Sequence, residues 1–334
     1  MRKNPVIAIV GATGVVGQEM LAVLEELAMP LSELKLFASA DSAGEYYKFK
    51  NSELTVEELT EKSFAGIDIA LFATSAELSA KFVPLANAAG ALAIDNSSHF
   101  RMHDGVPLVV PEVNIDAIKK DTLLIANPNC STIQLVPVLK IIHQHAGLKR
   151  VVISTYQSVS GAGKAAMDEL WNQTLNIFNQ RDVQSDVFPR QIAFNCIPQV
   201  DRFMDDGYTK EEHKVIDESR KILDLPELRI TSTCVRVPVF VSHAESVNVE
   251  MERALSPVEL MKLLDDAHGI DVYDALEYPS QLDIAGTDGI HVGRIRADSS
   301  VPHGLNLWIV ADNVRKGAAL NAVQIAKVFV ERFA

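Results

Sequence analysis

A cysteine placed where an apolar run meets a predicted helix is the side chain best suited to covalent chemistry. Cys130 follows Pro128 and Asn129, which end the apolar run, and a helix pattern begins near it. The dipole at the amino terminus of a helix lowers the pKa of a thiol and raises its thiolate fraction. The pattern therefore predicts a nucleophilic Cys130. The alternative, a buried structural cysteine, fits Cys196 and Cys234 better, because each lies in an apolar stretch.

Three glycines at a spacing of three predict a phosphate-binding turn near the start of the chain. They lie between the β-branched run Val6–Val10 and a helix pattern over residues 18–27. In such a turn the first glycine bends the chain, the second admits a phosphate, and the third lets helix and strand pack closely. Because the turn lies in a strand–turn–helix unit, we favour dinucleotide binding over a merely tight turn. The predicted cofactor contacts here are Gly11, Thr13, Gly14, Val15, Val16 and Gly17.

The end of the second predicted strand bears on which dinucleotide is bound. Asp41 and Ser42 follow the apolar run 34–38, close to where a Rossmann domain contacts the adenosine ribose. An aspartate there accepts hydrogen bonds from ribose hydroxyls, which suits NAD, and it repels the 2′-phosphate of NADP. The alternative, a solvated loop acid, is an equally good interpretation of Asp41.

The elements that must position these side chains change in character along the chain. Up to residue 127, strands and helices alternate with short connections, which predicts a parallel sheet covered by helices. Beyond that residue, long β-branched or alternating runs predict an α+β domain with a mainly antiparallel sheet. The predicted strands of this second part are 151–157, 234–241, 246–251, 290–296 and 305–310, and its predicted helices are 164–178 and 210–223. A last amphipathic helix is predicted over 316–332, and its pattern alone does not say which domain it joins.

Composition and charge exclude several classes of protein. The 334 residues include 31 Lys and Arg against 44 Asp and Glu, a net charge of −13, which argues against nucleic-acid or anionic-membrane binding. Three distant cysteines without a CxxC argue against a disulfide scaffold or a thiolate metal site, so we expect no metal. No apolar run reaches membrane-spanning length and no signal-peptide pattern appears, so we expect a cytoplasmic protein.

Four longer motifs extend the pattern around the cysteine. They read Asn-Pro-Asn-Cys-Ser-Thr-Ile-Gln at 127–134, Ser-Thr-Tyr-Gln-Ser-Val-Ser-Gly-Ala-Gly at 154–163, Ala-Phe-Asn-Cys-Ile-Pro-Gln-Val-Asp at 193–201, and Thr-Cys-Val-Arg-Val-Pro-Val at 233–239. In this order the chain resembles the aspartate-β-semialdehyde dehydrogenase family. The similarity runs from the first glycine loop to the final helix.

The resemblance implies a reaction and a domain plan. The family reversibly converts L-4-aspartyl phosphate and NADPH into L-aspartate 4-semialdehyde, phosphate and NADP⁺, for lysine, methionine and threonine synthesis. It implies a thioester on Cys130. It also implies an α/β Rossmann-type domain of residues 1–127 and 314–334, and an α+β catalytic and dimerisation domain of residues 128–313. A homodimer is expected, and a tetramer stays open.

The resemblance assigns the reacting side chains as well. His243 matches the acid/base, Gln157 the residue that orients the substrate, and Arg236 the clamp on the substrate carboxylate. On one regular strand, Arg236 and His243 would point to opposite faces, so a bulge or a strand end must turn one of them. Further matches are Glu211 to the substrate ammonium, Arg101 and Lys214 to phosphate, Asn129 to the substrate, and Ser160, Gly161 and Asn313 to the cofactor.

Two positions depart from the family pattern. Asp41 stands where many relatives carry an arginine that contacts the 2′-phosphate, so we expect weakened NADP selectivity or true use of NAD. Pro137 lies inside the helix that begins near Cys130, where proline removes a hydrogen bond and kinks the helix, although the first turn should survive.

Four alternatives remain open on the sequence. N-acetylglutamyl-phosphate reductase shares the glycine loop and the thioester route, but its substrate has no free ammonium and so needs no Glu211 and Arg236 arrangement. A coenzyme-A-dependent acylating dehydrogenase would need a pantetheine channel in place of two phosphate cations. A silent paralogue or a purely dinucleotide-binding regulator is disfavoured, because Cys130, Gln157 and His243 are all present.

Overall fold

The computed structural model describes residues 2–274 and 276–334, which form two compact units. The first unit is Met1–Asn129 with Ala318–Ala334, and the second is Cys130–Gly317. The strands in chain order are β1 (Val6–Val10), β2 (Glu33–Ala38), β3 (Tyr46–Phe49), β4 (Ser52–Glu58), β5 (Ile69–Phe72), β6 (Leu92–Asp95), β7 (Leu124–Ala126), β8 (Leu148–Gln157), β9 (Arg229–Arg236), β10 (His243–Met251), β11 (Ile270–Val272), β12 (Ile290–Asp298) and β13 (Gly304–Ala311). The helices are α1 (Val15–Glu26), α2 (Ala76–Ala88), α3 (Pro111–Asn114), α4 (Cys130–Ala146), α5 (Lys164–Phe178), α6 (Lys210–Leu223), α7 (Pro257–Asp265), α8 (Gln281–Ile284) and α9 (Asn321–Phe333).

The first unit is a twisted sheet in the order β3-β4-β2-β1-β5-β6-β7. Its pairs are parallel except the β3–β4 hairpin, and every residue of β1, β5 and β6 is buried, as expected of strands covered on both faces. The β3–β4 hairpin was not predicted. Its turn contains Lys50 in a left-handed conformation, with φ of 53°, rather than the glycine that usually marks such a turn.

The end of the chain belongs to the first unit. A π-helical turn over Arg315–Leu320 precedes α9, where one continuous helix over 316–332 was predicted. Ile325 and Phe329 of α9 join the apolar core formed by β1, β2, β5 and β6. None of the helices in the described ranges is long and apolar enough to cross a bilayer.

The second unit is a mixed sheet in the order β11-β12-β13-β10-β8-β9. Its β8–β9 and β11–β12 pairs are parallel, and its other three pairs are antiparallel. Helices α4, α6 and α7 contact these strands, and they share one apolar core with them, including Leu139, Val215 and Leu264. Although Pro137 lies inside it, α4 runs as one helix from Cys130 to Ala146.

The predicted strand 234–241 is wrong in its second half. β9 ends at Arg236, and β10 begins only at His243. Between them Pro238 cannot donate to a sheet, and Ser242 adopts a left-handed conformation with φ of 73°. The break places Arg236 and His243 on two different strands, which removes the conflict over their opposite faces.

Candidate active site

One row of the second sheet gathers three of the predicted site residues. Gln157, the last residue of β8, is in register with Arg236 on β9 and with His243 on β10. Because β8 lies between the other two strands, the three side chains occupy neighbouring positions at one end of the sheet. All three are buried. The break between β9 and β10 is therefore what assembles this row.

Cys130 is the first residue of α4, as predicted. Its side chain is partly exposed, and it forms no disulfide. An alanine methyl group built at Gly317 would lie 2.9 Å from the Cβ atom of Cys130, so the π-helical turn packs directly against the cysteine. Cys130 also lies within electrostatic range of the Arg236 guanidinium. A thiolate at this position is therefore favoured by both the helix dipole and a buried cation.

Arg236 is held by contacts with residues that are distant from it in the sequence. Its Nη1 donates to the carbonyl oxygen of Ser158 at 2.5 Å, and its guanidinium lies 5.9 Å from the ring centroid of Phe188. Burial lowers the pKa of Arg236 from its ordinary value, while the charges of Glu211 and Cys130 oppose that change. A methyl group at Gly161 would lie 3.2 Å from Arg236 Nη1, so the glycine keeps this space open.

His243 is completely buried and borders the same space as Arg236. Its Nε2 would lie 3.3 Å from a methyl group at Gly161, and this nitrogen has no hydrogen-bond partner among the described residues. Its Nδ1 accepts a hydrogen bond from the backbone amide of Ser158 at 3.0 Å. Burial, and then the Arg236 charge, lower the pKa of His243 to about 3, with Glu211 and Ser242 opposing. The imidazole is therefore neutral at neutral pH.

Gln157 is linked to a chain of charged side chains on α6. Its Nε2 donates to Glu211 Oε1 at 3.0 Å, and Lys214 Nζ donates to Glu211 Oε2 at 2.9 Å and to Asp201 Oδ2 at 3.0 Å. Burial alone would lower the pKa of Lys214, but the carboxylates of Glu211 and Asp201 raise it above its ordinary value. Glu211 and Lys214 therefore form an ion pair with each other, and Lys214 stays charged.

The start of α6 explains why Glu211 is so well placed. Thr209 and Glu212 form a capping box, in which each side chain bonds the backbone amide of the other. Glu212 Oε1 also accepts from the amide of Cys234 at 2.9 Å, which ties the helix to β9. Glu211 then projects from the first turn of a helix fixed at its amino terminus.

A cluster of buried polar side chains contacts the residues that flank His243. Asn313 Oδ1 accepts from Ser158 Oγ, Ser160 Oγ and the backbone amide of Ser242, at 3.1, 3.1 and 2.9 Å. All these side chains are buried. The predicted cofactor role of Ser160 and Asn313 stays a prediction, and their visible contacts are with each other and with the residues that flank His243.

The glycine loop of the first unit has the geometry that its spacing predicts. Gly11 has φ of 87°, and a methyl group there would lie 2.4 Å from the carbonyl oxygen of Ala73. A methyl group at Gly17 would lie 2.2 Å from the carbonyl oxygen of Gly11. At Gly14, which caps α1 without a side-chain hydrogen bond, the nearest atom would be 3.4 Å away. Two glycines therefore serve packing, and the middle one leaves its helix terminus accessible to an anion.

The remaining predicted residues of the first unit lie in the segments that follow its strands β2, β6 and β7. Arg101 is buried, and it donates through Nε to the carbonyl of Asn127 at 2.9 Å and through Nη2 to that of Asn96 at 2.7 Å. Asp41 is exposed in the short 3₁₀ turn after β2, with Ser42 beside it. Asn129, also buried, directly precedes Cys130. The roles of these residues stay predictions.

The other two cysteines do not share the environment of Cys130. Burial and the charge of Glu211 raise the pKa of the Cys234 thiol, which disfavours its thiolate. Cys196 is exposed in an irregular segment. The prediction that Cys130 is the nucleophile therefore rests on the position of Cys130 at the start of α4 and on the cation near it. Among residues 2–274 and 276–334, no three His, Cys, Asp or Glu side chains form a candidate metal site.

Several supporting residues were missed by the sequence analysis. Asp201 is the last residue of the motif at 193–201, but the motif gave it no role. Its hydrogen-bond partner, Lys214, lies 13 residues later in the chain. Ser158 lies beside Gln157 without any chemical signature of its own. Glu245, on β10, is fully buried, although a lone glutamate in an alternating strand would be expected at its exposed positions.

Replacing Glu245 with glutamine should stabilise the protein increasingly as the pH rises. Burial raises the pKa of Glu245 well above its ordinary value, and the nearby Gln134 amide opposes this only in part. Because the unfolded chain then loses its proton first, wild-type stability falls by about 1.4 kcal/mol for each pH unit between the two pKa values. Urea unfolding of both proteins at pH 4.5, 6 and 8 measures the difference between their free energies of unfolding.

The control for this prediction is Glu250→Gln on the same strand. Glu250 is partly exposed and pairs with Arg150 Nη1 at 3.2 Å, so its loss should give no stabilisation that grows with pH. Equal behaviour of the two variants, or a Glu245→Gln variant less stable than wild type at pH 8, would contradict a neutral buried carboxyl.

Comparison with known proteins adds the family. The model for the NAD-binding domain of semialdehyde dehydrogenases matches residues 6–121, and the model for their dimerisation domain matches residues 139–316. The chain is 49% identical over 330 residues to aspartate-semialdehyde dehydrogenase 2 of Vibrio cholerae, covering 98% of each chain, and 50% identical over 332 residues to the Aquifex aeolicus enzyme, covering 97% and 98%. A crystal structure of the Vibrio cholerae enzyme II complexed with ASA superposes with a TM-score of 0.97 at 48% identity, covering 99% of each chain.

Proposed function

The chain belongs to the aspartate-semialdehyde dehydrogenase family, and from this premise we propose which of its residues carry out the family's reaction. It is an oxidoreductase of amino-acid biosynthesis that interconverts L-4-aspartyl phosphate and L-aspartate 4-semialdehyde with a nicotinamide dinucleotide. The observation that carries the residue assignment is the row Arg236–Gln157–His243, in the same unit as Cys130.

Cys130 is the proposed nucleophile. Its thiolate attacks the acyl carbon of the aspartyl phosphate, a carbon–sulfur bond forms, and the carbon–oxygen bond to phosphate breaks. The bound nicotinamide supplies a hydride to the thioester carbon. The resulting tetrahedral intermediate expels the Cys130 thiolate and leaves the aldehyde. The proximity of the Arg236 charge and the α4 dipole supports Cys130 both as attacking and as leaving group.

The α6 chain supplies the proposed recognition of the amino acid and of phosphate. Glu211 pairs with the substrate ammonium, and Gln157, which already donates to Glu211, orients the substrate beside the thiol. Arg236 binds the α-carboxylate through two parallel hydrogen bonds, a geometry that suits a planar guanidinium. Lys214, and Arg101 in the first unit, provide the cations for phosphate. Asn129 is a further proposed substrate contact.

The reaction is tested by following reduced nicotinamide absorbance with purified protein, aspartate semialdehyde and NADP⁺, with and without phosphate. We expect turnover that requires phosphate. N-acetylglutamate 5-semialdehyde serves as the matched comparison, because its acylated nitrogen cannot pair with Glu211. Turnover of the acetylated substrate alone would contradict the proposal and favour the reductase related to it.

NADP is the proposed cofactor, with NAD also accepted. The glycine loop holds the pyrophosphate at the start of α1, and Ser42 remains as a donor near the adenosine ribose, while Asp41 carries the charge that opposes a 2′-phosphate. Ser160, Gly161 and Asn313 are the proposed contacts in the second unit.

Replacing Asp41 with arginine should raise the ratio of kcat/KM for NADP to that for NAD about tenfold or more. The change removes a negative charge and adds a bidentate phosphate donor at an exposed position. Steady-state kinetics with both cofactors measure the ratio, and Glu45→Arg, in the segment after the same turn, controls for added charge alone. A ratio that rises equally in both variants would contradict a specific role for Asp41.

A homodimer in the cytoplasm is proposed as the working state. The dimerisation domain of the family covers most of the second unit. On its sheet, the exposed Tyr156 of β8 and the half-buried Trp308 of β13 lie in ring contact across β10. Sedimentation at micromolar concentration should give twice the mass of one chain. Free thiols at Cys130, Cys196 and Cys234 support a reducing compartment.

A further inference from the structure

The connection between α5 and α6, residues 179–209, is long and irregular, and a carboxylate of α5 fixes its middle. The two oxygens of Glu169 accept hydrogen bonds from the consecutive backbone amides of Asp186, Val187 and Phe188, at 2.8, 2.5 and 3.3 Å. The Glu169 side chain is buried. Hydrogen bonds accepted by a carboxylate are roughly twice as strong as those between neutral groups, so one side chain holds three successive residues in place.

Gln173, one turn later on α5, holds the same connection a few residues further on. Its Oε1 accepts from the amides of Ile192 and Ala193 at 2.9 and 3.0 Å, and its Nε2 donates to Glu169 Oε1 at 3.2 Å. Gln173 is also buried. Two buried side chains at i and i+4 of one helix thus fix residues 186–193, the tethered segment, against α5.

Phe188 is the residue of the tethered segment that contacts the row of site residues. Its ring is buried in an apolar cluster that includes Val159, Leu170 and Ile192. The Arg236 Cζ atom lies over this ring, 5.9 Å from its centroid. A cation over the face of an aromatic ring is attracted to it, and more strongly where water is excluded. The ring therefore limits the space on one side of the guanidinium.

The rest of Arg236 is held at both of its ends. Its backbone amide donates to the carbonyl oxygen of Ile197 at 2.8 Å, and its own carbonyl accepts from the Ile197 amide at 2.9 Å, so the connection that carries Phe188 also pairs with β9. At the tip, the bond from Nη1 to Ser158 uses one of five N–H donors. The edge formed by Nε and Nη2 can bind a planar carboxylate, and its direction depends on how the guanidinium is held.

We propose that Glu169, Gln173 and Phe188 are positioning residues that set the orientation of the Arg236 guanidinium. The two α5 side chains hold the tethered segment, and Phe188 transmits that restraint to the arginine. An arginine that is already oriented loses less side-chain freedom when its ligand binds.

The consequence for catalysis rests on the proposed function, in which Arg236 binds the α-carboxylate of the substrate. The α-carboxylate does not react, so its contact with Arg236 is present both in the bound substrate and in the transition state. Weakening such a contact raises KM and changes kcat little.

Amide hydrogen exchange of the full-length protein tests the tether without any substrate. In Glu169→Ala, the peptide that contains residues 186–188 should exchange at least about tenfold faster than in wild type, because three amides lose their acceptor. Asp168→Ala is the matched control, because Asp168 is exposed on the same helix and bonds no amide of the tethered segment within the described ranges. It should exchange like wild type.

Equal exchange in wild type, Glu169→Ala and Asp168→Ala would overturn the tether. If Glu169→Ala does not fold, judged by circular dichroism, Gln173→Ala takes its place. The faster exchange is then expected at residues 192 and 193, whose amides bond Gln173.

Phe188→Leu tests the contact with Arg236. Crystal structures should show one orientation of the guanidinium in wild type, and a different one or several in the variant. With aspartate semialdehyde, KM should rise about tenfold while kcat stays within about threefold of wild type. Phe188→Tyr keeps the aromatic face and should behave like wild type. Leu170→Ala is the matched control for lost packing, because Leu170 belongs to the same apolar cluster, and it should lower the stability without changing KM.

A wild-type KM in Phe188→Leu would overturn the positioning role. An equal rise of KM in Leu170→Ala would overturn it too, because the effect would then come from packing alone. If Phe188→Leu does not fold, Phe188→Met takes its place with the same expected outcome. If wild type shows no turnover of aspartate semialdehyde, the proposed function fails, and the orientation of Arg236 in the two crystal structures decides the positioning role by itself.

Discussion

Replacing Cys130 with alanine should abolish turnover of aspartate semialdehyde, lowering kcat by at least about 10³-fold, because no other residue can form the thioester. Cys234 is buried with a raised pKa, and Cys196 is exposed outside any helix terminus. Serine at position 130 should be nearly as inactive, since a hydroxyl stays protonated where a thiol ionises. The rate of nicotinamide reduction measures both losses.

The thioester itself gives a second measurement. Wild-type protein incubated with aspartate semialdehyde and NADP⁺, with phosphate withheld, should carry one aspartyl group on the peptide that contains Cys130. Cys196→Ala is the matched control, and it should keep both the modification and the turnover. An acyl group found on Cys196, or a Cys130→Ala variant with more than about a tenth of wild-type activity, would contradict covalent catalysis at Cys130.

Local signals account for the elements that the sequence analysis predicted well. The helices α5 and α6 occupy the ranges 164–178 and 210–223 that were predicted, and a capping box at Thr209 marks the start of α6. The glycine loop and the placement of Cys130 at the start of α4 also follow from neighbours in sequence. Such features depend on residues that lie close together in the sequence, so the sequence alone predicts them.

The assembly of the site depends on pairings that no local pattern contains. Arg236 and His243 lie seven residues apart, yet each pairs with Gln157 from opposite sides of β8. A continuous β-branched run predicted one strand over 234–241. In the structure the chain leaves β9 at Arg236, breaks at Pro238 and Ser242, and returns as β10 on the other side of β8. Asn313 likewise accepts a hydrogen bond from Ser158, 155 residues away, so this contact had no sequence signal.

Some buried ionisable side chains of the second unit keep their charge, and others are neutral. Lys214 keeps its charge because two carboxylates bond it, whereas Glu245 and His243 lie where burial favours their neutral forms. Burying an ion costs several kcal/mol unless partners compensate it, and along the Glu211 chain the opposite charges provide that compensation. We therefore expect the charged side chains, rather than Glu245 or His243, to pair with a zwitterionic substrate.

Replacing Gly317 with alanine should lower kcat about 10²-fold, the second largest effect that we expect. The added methyl group would lie 2.9 Å from Cβ, 3.3 Å from Cα and 3.4 Å from the backbone oxygen of Cys130. None of these atoms is the end of a flexible side chain, so the first turn of α4 or the π-helical turn must move. A displacement of about 1 Å at the nucleophile is enough to cause such a loss.

The alkylation rate of Cys130 by iodoacetamide separates a displaced thiol from a destabilised protein. In Gly317→Ala this rate should change together with kcat, while the cofactor dissociation constant stays close to wild type. Gly90→Ala is the matched control, because Gly90 has φ of 90° with open space around it, so alanine there strains the backbone in the first unit without a steric clash. That variant should lose stability and keep kcat. If Gly317→Ala matched it in both respects, the close packing against Cys130 would serve stability rather than the position of the nucleophile.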